Sequence, residues 1–164
     1  MRLVALVSLI VFALDQVTKL AVVHGLDLIR TGSIEVFPPY LNFRMAWNQG
    51  MNFGLFAGDS NVTRWVLIVI SIAITAWVLH WMRKPGHSKL AQISAGLLVG
   101  GALGNVIDRF VYGAVADFLN MSVPGIENPY AFNVADIAIF AGAIGLVLFT
   151  GDPKPPKKSR RKTA

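Results

Sequence analysis

Four apolar runs, Leu3–Val23, Trp65–Met82, Leu90–Ile107 and Ala131–Phe149, constrain this chain more than any other feature. About 20 apolar residues, rising roughly 1.5 Å each, are long enough to cross a bilayer. Lipid offers no partner to peptide N–H and C=O groups, so such runs must satisfy their own backbone as helices. The first run opens as MRLVALVSLIVFAL, which looks like a secretory leader. No small-x-small cleavage site follows, and the run continues through Asp15 and Lys19 to Val23, so it reads as a retained first transmembrane helix.

Composition agrees: 54% of the 164 residues are hydrophobic and the mean hydropathy is +0.56, above the roughly 45–50% apolar content usual for soluble domains. The net charge of +6 does not point to nucleic acid. Six of the fifteen Lys/Arg lie in the final GDPKPPKKSRRKTA, leaving nine against eight Asp/Glu before it. Residues 1–150 read as one membrane domain and 151–164 as a basic, disordered tail that orients the chain and attracts anionic lipid. With no cysteine there is no disulfide framework, thiol nucleophile or thiolate metal site.

Charge in the connections sets the orientation. Arg83, Lys84 and Lys89 lie between the second and third runs, and the basic tail follows the fourth. Both are cytoplasmic by the positive-inside bias, which puts both termini inside and residues 24–63 and 108–130 outside. Leu41–Asn48, LNFRMAWN, alternates with period two and predicts a strand with Leu41, Phe43, Met45 and Trp47 on one face, available to lie on lipid. Gly50 and Gly54 in the following NQGMNFG supply turn positions, and Phe110–Leu119 is expected to pair with the strand. The fold class is an all-α integral membrane protein, with four transmembrane helices and a small extracytoplasmic β-sheet.

Counting from the helix ends collects the polar residues in the outer leaflet. Asp15 and Lys19 lie in the outward half of the first run, Asn105, Asp108 and Arg109 at the outward end of the third, and Asn133 and Asp136 in the first turns of the fourth. Groups this costly to place in a membrane rarely lack a role. Asp15 and Lys19, four apart, form an ion pair on one helix face; either they neutralise one another or they position a loop or substrate backbone. Asp108 beside Arg109 reads as a structural salt bridge. Gly96, Gly100 and Gly104, with Ala138/Gly142 and Ala141/Gly145, are small-xxx-small stripes expected to pack the third and fourth helices closely.

Asp117 and Asp136 sit in the apolar strings VADFL and NVADIAIF with no basic residue within four positions. If they face one another, one carboxyl is held protonated and the other ionised, the arrangement that activates water for attack on an amide. Coordination of a metal or ion by Asp/Asn, and simple helix capping by residues such as Asn133, are the alternatives. His24, His80 and His87 are scattered, which disfavours a Ser/His triad or a His zinc site.

DQVTK at Asp15–Lys19, NQGMNFG at Asn48–Gly54, GGALGNVIDR at Gly100–Arg109, VADF at Val115–Phe118 and FNVAD at Phe132–Asp136 together resemble the ordered motif set of the lipoprotein signal peptidases, signal peptidase II. The resemblance covers nearly the whole chain apart from the tail. It implies an intramembrane aspartic peptidase of the bacterial inner membrane, active towards the periplasmic side, that removes signal peptides from prolipoproteins bearing a diacylglyceryl-modified cysteine. It also implies Asp117 and Asp136 as the catalytic pair. Asn48, Asn105, Arg109 and Asn133 would then contact the substrate backbone or support the pair, and Asp15, Lys19 and Asp108 would hold the site together, with Gly54 in the outer loop. No metal or cofactor is expected, membrane lipid is, and the chain is expected to act as a monomer. A small ion-coupled carrier and a non-catalytic lipoprotein chaperone are the rivals, the carrier disfavoured because its ionisable groups belong at mid-depth.

Overall fold

The structure, a computed structural model, describes residues 1–50 and 60–150. Gly54, the rest of the turn after Gly50, and the tail at 151–164 lie outside the described residues. Helix α1 spans Arg2–Lys19 and runs on through a π-helical segment, Leu20–Gly25. A short helix α2 (Leu28–Thr31) leads into strands β1 (Ser33–Phe37) and β2 (Leu41–Asn48). Helices α3 (Ser60–Met82) and α4 (Lys89–Tyr112) follow, then strand β3 (Val115–Asn120) and helix α5 (Val134–Phe149).

Three helical stretches, Arg2–Gly25, Asn61–Met82 and Lys89–Tyr112, are long and apolar enough to cross a membrane. The fourth predicted run is shorter than expected. Helix α5 has 16 residues and starts at Val134 rather than Ala131, because Phe132 exchanges backbone hydrogen bonds with Leu119 of β3 and Asn133 then caps the helix. At the other end, α4 continues past Ile107 to Tyr112 and stops where Gly113 adopts a φ of +81° that other residues rarely reach.

Helix α4 is central and packs on α1, α3 and α5. The glycine stripe explains how, with a different partner from the one predicted. A Cβ on Gly100 would lie 2.5 Å from the Ser8 carbonyl oxygen, and one on Gly104 would lie 2.5 Å from Asp15 Oδ2, so Gly96, Gly100 and Gly104 serve the α1 contact. The α4–α5 contact uses a second set, Gly101 against the Ala135 carbonyl and Gly142 against the backbone at Leu98. Removing side chains from a helix face is what allows such approach in lipid. The outward faces stay apolar, with Val69, Phe140 and Val147 63%, 70% and 81% exposed.

The three strands form one antiparallel sheet in the order β1-β2-β3. Leu41–Asn48 is a strand with the predicted boundaries, β3 is its predicted partner, and β1 was not predicted. The expectation that one face of β2 lies on lipid is corrected. Phe43 and Met45 pack against Val22, Val23, Leu28 and Phe118, over the end of α1, and Trp47 lies against Tyr112 with ring centroids 5.4 Å apart. Phe43 pairs with Leu119 and Ala46 with Asp117, so β2 accommodates one extra residue, a bulge that interrupts the alternation.

Gly104→Ala is expected to lower stability by ~1–3 kcal/mol. The new methyl meets an Asp15 carboxylate that is held by Lys19 and by the Ala135 N–H and cannot move aside. Thermal unfolding in detergent measures it; an unchanged midpoint would show that the α1–α4 contact is looser than described.

Candidate active site

Strand β3 and the start of α5 each deliver one carboxylate to the same place. Asp117, 2% exposed on β3, accepts a hydrogen bond from Asn48 Nδ2 at Oδ2 (3.0 Å) and from Asn133 Nδ2 at Oδ1 (2.6 Å). The bulge in β2 sets up the first of these bonds by bringing Ala46 opposite Asp117, so that Asn48, two residues on, shares its face. Asn48 Oδ1 also accepts from the Gly50 N–H at 2.9 Å, a local turn that holds the amide in place.

Asp136 belongs to the first turn of α5. Its Oδ1 accepts from Asn105 Nδ2 at 2.9 Å and its Oδ2 accepts from the backbone N–H of Asn133 at 3.3 Å. Asn133 Oδ1 in turn accepts from the Asp136 N–H at 2.8 Å, so the two residues form a capping box. Asn133 Nδ2 reaches Asp117 and also Asn105 Oδ1 at 3.3 Å. The two carboxylates are thus linked through two fully or nearly buried amides, and capping, weighed above as an alternative role for Asn133, occurs alongside the linkage.

Behind this pair lies a buried ionic cluster. Lys19 Nζ is 2.8 Å from Asp15 Oδ2 and 2.7 Å from Asp108 Oδ2, and donates to Asn105 Oδ1 at 3.3 Å. Asp15 Oδ1 accepts from the Ala135 N–H at 2.9 Å, and Asp108 Oδ2 from the Ala116 N–H at 3.1 Å. Those two alanines immediately precede Asp136 and Asp117. Gln16, not singled out from the sequence, donates to both Asp15 and Asp108 at 3.1 and 3.2 Å; its place between Asp15 and Lys19 was the available clue.

The predicted salt bridge between Asp108 and Arg109 does not form. Successive residues on a helix point about 100° apart, and Asp108 turns to Lys19 while Arg109 Nη1 donates to the Asn105 carbonyl oxygen at 3.3 Å. Arg109 Nε has no partner among the described residues, and the guanidinium lies within electrostatic reach of Asp136 and Asp117. Eight of the expected site residues therefore join one hydrogen-bonded network, and Arg109 borders it through the backbone.

Electrostatics separate the Asp117 carboxyl from an ordinary surface acid. Burial, and then the negative charge of Asp136, push it up to about 7, against the lowering effect of the Asn48 and Asn133 bonds and the Lys19 charge. Among the described residues, no three His, Cys, Asp or Glu side chains gather as a metal-ligand set. The oxygens of Asp117 and Asp136 are engaged by amide donors.

Apolar helices of spanning length, with two carboxylates joined through amides, describe a helical membrane protein. Comparison with known proteins gives the family. A family model described as signal peptidase (SPase) II matches residues 7–150. The chain is 44% identical over 143 residues to the lipoprotein signal peptidase of Methylorubrum extorquens (strain PA1), covering 87% of this chain and 82% of that one. It is 41% identical over 150 residues to the lipoprotein signal peptidase of Rhodopseudomonas palustris (strain ATCC BAA-98 / CGA009), covering 89% and 90%. A solved bacterial membrane enzyme, determined by the in meso method at 1.9 Å, superposes with a TM-score of 0.72 at 30% identity, covering 88% of this chain and 90% of that one. The chain belongs to the signal peptidase II family, and is an enzyme of the aspartic peptidase class.

Lys19→Met removes the cation shared by Asp15 and Asp108 and leaves two carboxylates buried without it. A loss of ~3–5 kcal/mol in folding stability is expected, the usual cost of breaking a buried ion pair from one side. Chemical unfolding in detergent checks this, and a loss under 1 kcal/mol would mean that the cluster is solvated.

Proposed function

We propose that this chain cleaves the signal peptide from prolipoproteins whose cysteine carries diacylglycerol, with Asp117 and Asp136 as the reacting pair. The observation that carries the reading is that two carboxylates from separate elements share one network through Asn105 and Asn133. Asp117, held up to about 7, keeps its proton below that pH and serves as the acid. Asp136, which accepts two N–H bonds, serves as the base.

In this mechanism Asp136 takes a proton from water as its oxygen attacks the scissile carbonyl, while Asp117 donates to the carbonyl oxygen. The tetrahedral intermediate collapses by breaking the C–N bond, the leaving amine receives the proton held by Asp136, and Asp117 recovers its own. Asn48 and Arg109 are suited to hold the substrate backbone, because each presents donors beside the pair. Asp15, Lys19 and Asp108 position the elements that carry the acids.

The proposed setting is the bacterial inner membrane, with both termini cytoplasmic and the pair near the periplasmic face, where the outer end of a signal-peptide helix would present its cut site. Arg83, Lys84 and Lys89 between α3 and α4 support that orientation. Helix α5 is taken as the fourth crossing, since the exposed Phe140 and Val147 are disfavoured in water.

Asp117→Asn and Asp136→Asn, made separately, are each expected to reduce cleavage of a diacylglyceryl prolipoprotein by at least ~10³-fold while the protein stays folded. Near-normal turnover in either folded variant would sink the proposal. The pH dependence has a definite sign: an acid raised to about 7 holds its proton below that pH and loses it above. Accordingly kcat/KM should fall as pH rises through about 7, and a profile flat from pH 6 to 8.5 would remove Asp117 from the role of acid.

A further inference from the structure

On the side of the sheet away from the paired acids lies a second, polar pocket. Asp117 and Asn120 are three residues apart on β3, and strand residues alternate faces, so Asn120 and its partner Asn42 open opposite to Asp117. The pocket, about 390 Å³ in volume, is lined by Ser33, Asn42 and Arg44 from the β1–β2 side and by Asn120, Glu127 and Asn128 from the other. That second wall is built rather than loose. The buried Asn120 donates through Nδ2 to the carbonyl oxygens of Asn128 (2.7 Å) and Tyr130 (2.8 Å), and Ser122 Oγ accepts from the Asn128 N–H at 3.1 Å.

Two features identify a ligand. Arg44 and Glu127 are exposed and neither has a hydrogen bond or ion pair among the described residues, so the pocket offers one free cation and one free anion. The chain beside both walls is apolar and exposed: Phe37 at 64%, stacked 5.6 Å from Tyr40, on one side, and Ile126 at 69% and Tyr130 at 76% on the other. Exposed aromatic and aliphatic side chains around a polar cavity suit the headgroup layer of a bilayer. In the membrane setting proposed above, the sheet lies at that depth, since it packs on Val22 and Val23 in the π-helical segment that ends the first spanning helix.

We propose that this pocket binds the headgroup of a zwitterionic aminophospholipid, with Arg44 on the phosphate and Glu127 on the primary ammonium. A purely anionic headgroup satisfies Arg44 but meets the Glu127 charge. A quaternary ammonium has no N–H to give Glu127. Of these three headgroup types, the phosphate joined to a primary amine satisfies both, and the surrounding Asn and Ser side chains are placed to meet the glycerol end.

The experiment is lipid retention, not turnover. The full-length protein is equilibrated in micelles containing equal phosphatidylethanolamine, phosphatidylcholine and phosphatidylglycerol, and the lipid retained is measured by native mass spectrometry. Phosphatidylethanolamine is expected about tenfold above the other two, the ratio one charge-assisted hydrogen bond supports. Arg44→Ala should abolish the preference, and Glu127→Gln should bring phosphatidylethanolamine down to the level of phosphatidylcholine, with unfolding unchanged in both. Equal retention of the three lipids, a preference for phosphatidylglycerol, or a preference that survives both substitutions would overturn the assignment. None of these outcomes bears on Asp117 and Asp136.

Discussion

The site depends on one ammonium group. Lys19 joins Asp15 and Asp108, and each of those carboxylates also accepts a backbone N–H, that of Ala135 before Asp136 and that of Ala116 before Asp117. The cluster therefore acts as a bracket between α5 and β3, adding to the Asn133–Asp117 bond and the Phe132–Leu119 backbone pair that already join them. Its position on α1 matters, because that helix carries neither Asp117 nor Asp136. A buried ion pair is weak ground for stability in general, but here its partners fix backbone positions, which is what precise placement of two carboxyl groups needs.

Close helix packing makes the bracket possible. Asp15 can reach across to Ala135 only because α4 presents Gly104 where any side chain would collide with its carboxylate. Gly101 opens the other side, letting the Ala135 carbonyl sit against α4. The glycines thereby set how far apart the polar groups lie. Amides fill the space that remains. Asn105 and Asn133 each donate to a carboxylate and accept from another member of the network, a dual capacity that a cation, which only donates, would not match.

Much of this was legible in the residues. Apolar run length disclosed the three long helices, alternation disclosed β2 to the residue, and polar groups at run ends disclosed most of the network. Where reading failed, tertiary context decided. Adjacency suggested that Asp108 pairs with Arg109, but helical geometry turns neighbours apart and Lys19 from another helix took the place. Alternation suggested lipid against Phe43 and Met45, but the end of α1 covers them. Strand β1, only five residues long, carries too little pattern to announce itself, and the α4 glycines gave no sign of which neighbour they would meet. The pocket at Arg44 and Glu127 joins residues more than eighty positions apart, beyond the reach of any local pattern.

The extra residue in β2 has a consequence for how this small sheet is used. In a regular strand Asn42 and Asn48, an even number apart, would point the same way. The bulge between Phe43 and Ala46 shifts the phase, so Asn42 pairs beside Asn120 on one face while Asn48 serves Asp117 on the other. One eight-residue strand thereby works as a partition, with a different polar environment on each side. Removing a single residue between Phe43 and Ala46 would restore the phase and force both amides to compete for one side, so the irregularity is what lets the two faces remain chemically separate.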